Sequence, residues 1–168
     1  MSRYFVMIYT AVFLGLAGCS FEAGEPLKEE TPADWSQSDR ESVIEAAAAQ
    51  IGKTEYEFGA GRNEAERKEG IFDCSSFVHW AFDQEGMKLG SMRGVTTDTL
   101  KHKGERVSAE EMQTGDLVFF DTYKEDGHVG IYIGNGEYIG AQESTGAAVE
   151  SLEEGYWSSV FNEHVRRI

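Results

Sequence analysis

Phe72-Asp73-Cys74-Ser75-Ser76-Phe77-Val78-His79-Trp80-Ala81-Phe82 is the stretch on which the reading of this chain turns. It reads as a short turn that delivers one cysteine to the first turn of an apolar helix. Phe77, Ala81 and Phe82 recur at helical spacing, Val78 and Trp80 widen the buried stripe, and Gly86 supplies a stop. A thiol at a helix N-terminus meets unpaired backbone N–H groups and the positive end of the dipole. Both favour the thiolate, which is the nucleophilic form. A lone cysteine is also a common buried hydrophobe, and this stretch alone leaves both readings open.

Working outward, 168 residues suit one domain with a tail. Fifteen basic against thirty acidic residues give a formal net charge of −15, a field that argues against nucleic acid or anionic lipid as the main partner. The two cysteines, Cys19 and Cys74, sit in settings too different for a disulfide pair. Cys19 closes an apolar segment, Tyr4 to Gly18, that follows Arg3 and carries no acidic residue. The segment is short for a spanning helix and ends in small residues, as a secretory signal does. Leu16-Ala17-Gly18-Cys19 resembles the lipobox of bacterial lipoproteins. The resemblance implies removal of residues 1–18 and lipidation of Cys19, which would anchor the protein to the cell membrane on its outer side. More than one acyl chain is what stable anchoring requires. Residues 19–38 are polar and acidic and hold both prolines, Pro26 and Pro32. They are expected to form a flexible tether of up to about 60 Å when stretched.

The globular domain is expected over residues 39–168. Ser38-Asp39-Arg40-Glu41 has capping-box spacing ahead of a helix running to Gly52. Tyr56 to Arg62 is a short extended piece entering a glycine-rich loop, and Asn63 to Gly70 a surface excursion or short helical turn. A short helix follows Thr96, and Glu105-Arg106-Val107 is a possible strand. Thereafter the pattern is β: Asp116 to Phe120, Val129 to Ile133, Glu137 to Gln142, Ala147 to Leu152 and His164 to Ile168. Gly134-Asn135-Gly136 marks a hairpin, and Tyr156-Trp157 opens a helical turn. Helices first and antiparallel strands afterwards indicate an α+β fold.

A nucleophilic cysteine needs a base, and the base needs a third group that orients it. Of four histidines, His79 lies within the Cys74 helix, His102 between two lysines and His164 near the C-terminus. His128 opens an apolar strand after the polar turn Lys124-Glu125-Asp126-Gly127, where its ring can stand at the edge of a cleft.

Four segments in order, Tyr56 to Arg62, Phe72 to Phe77, Gly115 to Phe120 and His128 to Gly136, resemble those of the NlpC/P60 cell-wall peptidases. The resemblance covers most of residues 40–168. It implies a papain-like α+β fold and hydrolysis of peptidoglycan stem peptides, typically between γ-D-glutamate and the following diamino acid, by a monomer. It implies Cys74 as nucleophile, His128 as general base, and a substrate-binding role for Tyr56, Asp73 and Ser75. Asp73 fits a helix N-cap equally well, and Tyr56 a core aromatic. The family's third member, His, Asn or Gln, lies twelve residues beyond the base, where this chain has Gly140. Gln142, two residues on and on the same strand face, is the candidate substitute, against a backbone carbonyl or a water. No cofactor and no metal are called for. A CHAP-type amidase or endopeptidase, and a wall-binding lipoprotein with weakened catalysis, are the alternatives.

Overall fold

The computed structural model describes residues 35–168. The expected leader 1–18, Cys19 and the tether as far as residue 34 lie outside the described residues.

The helical part begins earlier than the Ser38 pattern suggests. Helix α1 spans Gln37–Ala48, and its N-cap is Ser36, which exchanges capping bonds with Asp39. The box is displaced by two residues because Asp39 at the third helical position performs the part read onto Glu41. Trp35 packs on Phe82 with ring centroids 6.0 Å apart, so residues 35–38 belong to the domain and not to the tether. The helix ends at Ala48, short of Gly52. Ile51 is 46% exposed and adds nothing to the face on which Val43 and Ala47 are buried.

A small parallel pair follows, β1 (Glu55–Tyr56) with β2 (Ile71–Phe72). Helix α2 (Glu64–Glu69) connects them, capped by the Asn63 side chain at one end and by left-handed Gly70 at the other. This unit presents Asp73 as N-cap of α3 (Cys74–Gln84). Phe77, Val78, Ala81 and Phe82 are buried along α3 as the periodicity predicts; a buried Phe or Val of this kind contributes about 1.5–3 kcal/mol of hydrophobic stabilisation. Helix α4 (Thr97–Leu100) leads into the sheet.

The sheet contains β3 (Glu105–Val107), β4 (Leu117–Phe120), β5 (His128–Gly134), β6 (Glu137–Gln142), β7 (Gly146–Ser151) and β8 (Phe161–Arg167). Their spatial order is β3-β8-β4-β5-β6-β7, antiparallel throughout, with α5 (Gly155–Val160) between β7 and β8. The fold is α+β, as the order of elements predicts. Gly134, Asn135 and Gly136 all take positive φ in the β5–β6 hairpin, a geometry for which glycine and asparagine carry the least strain.

The two faces of the sheet have different cores. Phe119, Val129, Ile131, Ile139 and Ala141 join α1 and α3 in one cluster. Val118, Phe120, Tyr138 and Val165 form a second on the opposite face, with Trp157 and Phe161 packed against it. Strands β5 and β6 pair from Gly134↔Glu137 to Ile131↔Ile139. Beyond that, His128 and Val129 pair with β4, while Gly140, Ala141 and Gln142 pair with β7. The β5–β6 pairing therefore stops at Ile131↔Ile139, short of His128.

Candidate active site

Cys74 is the first residue of α3, 6% exposed, and packed in the core cluster that α1 and α3 share with the sheet. The backbone N–H of Val129 acts on its sulfur, as does that of Ser75. Since Val129 follows His128 directly, the sulfur lies against the start of β5. Among the described residues no hydrogen bond joins Cys74 to His128.

The backbone N–H groups at the helix terminus do pull toward the thiolate, but burial outweighs them in this state of the site. Burial pushes the Cys74 thiol up to about 12, and the Asp73 carboxylate adds to the effect. The backbone N–H groups and the Arg62 guanidinium pull the other way without winning. Removing a thiolate from water costs more here than the helix terminus returns. Burial likewise pushes His128 down to about 3, against a smaller opposing pull from Asp73. Burial therefore favours a neutral thiol at Cys74 and a neutral imidazole at His128.

His128 is held by aromatic rings. The Trp157 indole stacks on it at 4.5 Å between centroids and 30° between planes, Phe120 lies at 5.5 Å, and Tyr138 stands edge-on at 6.3 Å. Its Nε2 is buried and has no hydrogen-bond partner among the described residues. Gln142 does not fill the orienting role read onto it. With its amide nitrogen 2.7 Å from the carbonyls of Gly140 and Gly146, the orientation that suits both ends of the amide, the side chain closes the β6–β7 turn. The two-residue period does put Gln142 on the His128 face, but nearby backbone acceptors claim its amide first.

Asp73 and Ser75 lie behind the nucleophile rather than on the cleft. The Asp73 carboxylate accepts from Gly59 N–H, Ser76 N–H and the Ser75 hydroxyl, and pairs with Arg62 Nη1 at 2.7 Å. Arg62 also donates to Ser75 and to the carbonyls of Ala60 and Val95. The helix-cap reading of Asp73 is thus realised, with its charge already balanced by an arginine whose role the sequence left unassigned.

Tyr56, His128 and Gln142 line a cleft of about 1150 Å³. Burial, with the nearby Asp73 carboxylate and any ionised Cys74 adding to it, holds the Tyr56 phenol well above its ordinary range, so it stays a hydrogen-bond donor. Glu57, Glu143, Glu150 and Glu154 also line the cleft, and no lysine or arginine does. Phe58, Tyr123 and Tyr156 stand at its rim, each at least 60% exposed. Sequence reasoning passed over Trp157, Tyr138 and Arg62; the Tyr156-Trp157 pair was visible only as a helix start. Among the described residues no group of three His, Cys, Asp or Glu side chains is placed to hold a metal ion.

His128 lines the cleft, while Cys74 is not among its lining residues. The model of the NlpC/P60 family matches residues 52–166. The peptidoglycan DL-endopeptidase CwlO of Bacillus licheniformis is 48% identical over 128 residues, which make up 76% of this chain and 28% of that protein. The murein DD-endopeptidase MepS/murein LD-carboxypeptidase of Escherichia coli K12 is 40% identical over 102 residues, 60% of this chain and 51% of the relative. The chain thus spans about half or less of these relatives' length. Among solved structures, a Staphylococcus aureus protein described as similar to lipoprotein, NLP/P60 family, superposes with a TM-score of 0.64 at 24% identity, over 84% of this chain and 45% of that one. With the family's model matching more than half of its length, the chain belongs to the NlpC/P60 family.

Proposed function

We propose that this protein is a peptidoglycan endopeptidase that cleaves stem peptides, between γ-D-glutamate and the following diamino acid, with Cys74 as nucleophile and His128 as base. The observation that carries the reading is the Cys74 sulfur lying against the Val129 N–H, one residue from an imidazole on the cleft wall. The two relatives described above, a DL-endopeptidase and a DD-endopeptidase, support the reaction class.

From the neutral pair, proton transfer accompanies attack. His128 takes the thiol proton as sulfur bonds to the amide carbonyl carbon. The resulting oxyanion draws on the Cys74 backbone N–H, which helix geometry leaves free. Collapse expels the amine, which receives the proton from His128, and water then hydrolyses the thioester. Tyr56 meets the substrate directly, while Asp73 and Ser75 hold the start of α3 from behind. Lipidation of Cys19 would tether the domain at the outer face of the cell membrane, where a monomer could reach the wall.

The unpaired Nε2 of His128 and the absence of a side chain at Gly140 favour one second reading, a wall-binding lipoprotein with little turnover. Muropeptides incubated with the full chain and analysed by mass spectrometry separate the readings. Fragments cut within the stem are expected. Intact stems released from muramic acid would indicate an amidase, and unchanged substrate that nevertheless co-sediments with protein would indicate the binding role.

A further inference from the structure

On the reading of His128 as the base, we propose that Trp157 is its positioning residue, orienting the imidazole and stabilising its charged form in place of a polar third group. Three observations lead there. The buried Nε2 has no polar partner, and the one candidate amide, Gln142, is engaged by backbone carbonyls. The space above Gly140 is also taken, since a Cβ there would lie 3.2 Å from Cε2 of Tyr138, whose ring extends over Gly130 as well. What remains against His128 is an indole stacked at 4.5 Å.

A third group has two duties, to fix the base's orientation and to stabilise the imidazolium formed when the thiol proton moves. Trp157 can perform both without a hydrogen bond. The imidazole lies flat on the indole, and the Phe120 ring, itself 5.3 Å from the indole, is tilted against it at 5.5 Å, so this packing restricts its rotation. When the S–H bond of Cys74 breaks and the new N–H bond forms on His128, the positive charge arises over the face of the most electron-rich aromatic side chain, where it is attracted. The charge leaves with the proton that protonates the departing amine. The face of an indole lowers the energy of the charged state while leaving the neutral one nearly untouched, as transition-state stabilisation requires.

The test compares Trp157→Phe with Trp157→Leu in the full chain. Leucine excludes water but has no aromatic face. The proposal expects Trp157→Phe to keep kcat within about threefold and Trp157→Leu to lose about 10- to 100-fold in kcat, with KM little changed. Equal activity of the two, or a loss confined to KM, would overturn it. Tyr138→Phe separates the hydroxyl from the ring. Near-normal kcat is expected, and a collapse would assign the orienting role to the hydroxyl instead. A second readout does not need turnover: NMR of the His128 ring in the substrate-free protein. One sharp Cε1–H signal, shifted by the stacked indole, is expected in wild type and Trp157→Phe, and a broadened one in Trp157→Leu. An unchanged His128 signal in Trp157→Leu would refute the proposal even if the substrate assignment were wrong, and failure of the wild type to cleave stems would count only against that assignment.

Discussion

The Trp157 indole covers the His128 imidazole, 4.5 Å from it and tilted by 30°, so the imidazole sits among aromatic surfaces. This relationship accounts for the electrostatics of the site. Burial strips water from the imidazole and pushes its proton affinity down, a cost that the indole face offsets only in part, and burial acts likewise on Cys74.

Acid sensitivity follows from His128. With its folded-state pKa pushed down from 6.5 to about 3, the unfolded chain binds a proton that the folded protein does not. Its contribution to stability is present above pH 6.5 and is lost as pH falls toward about 3, by up to about 1.4 kcal/mol per pH unit. Urea unfolding at pH 7 and pH 4.5 should show the wild type losing about 2 kcal/mol more than His128→Asn between the two conditions. Equal losses would contradict the buried neutral imidazole.

For Cys74 the sign is reversed. With the thiol pushed up to about 12, its thiolate fraction at neutral pH is very small. Alkylation of Cys74 by iodoacetamide, followed by peptide mass spectrometry, should run at least about 100-fold slower than for free cysteine at pH 7.5. It should rise steadily through pH 10. A plateau between pH 7 and 9 would indicate a resting thiolate–imidazolium pair.

Gly130 is a steric requirement of the same assembly. A Cβ at this position would collide with the ring of Tyr138, which is fully buried and cannot swing away. Gly130→Ala should lower stability by about 1–3 kcal/mol, measured by thermal melting, through overpacking. It should also cost activity by displacing Tyr138 toward His128.

Arg62 ties the glycine loop to the nucleophile helix. Arg62→Leu removes the partner of a nearly buried Asp73 carboxylate, leaving that charge uncompensated. The expected loss is about 2–4 kcal/mol in denaturant unfolding, with Cys74 made still harder to ionise. A variant as stable as wild type would show that the hydrogen bonds of Asp73 suffice alone.

Much of this was legible in the chain itself. Asp73 and the Phe77–Phe82 periodicity specify a capped, one-sided helix, and Gly134-Asn135-Gly136 specifies the hairpin that carries His128; both are local signals. The register of α1 was misread because Ser36 and Ser38 are both capable caps and Asp39 supplies the third helical position only for Ser36. For Cys74, sequence places a thiol at a helix terminus, whose N–H groups do favour the thiolate, but it says nothing of the burial that outweighs them. Gln142 was chosen from strand parity, which was sound, yet parity cannot tell which acceptors stand closer to an amide than an imidazole does. Trp157 reaches His128 only through the β7–α5 connection, a contact across 29 positions that no local periodicity encodes.

The central claim, a thioester formed by Cys74 with His128 as base, is tested most directly by acid-quenching the full chain during turnover of a stem-peptide muropeptide and mapping covalent adducts by mass spectrometry. The account predicts an acyl group on Cys74 in the wild type, and none in Cys74→Ala or, within the same time, in His128→Ala. Cleavage that persists in Cys74→Ala, or an adduct that forms at the wild-type rate without His128, would contradict it.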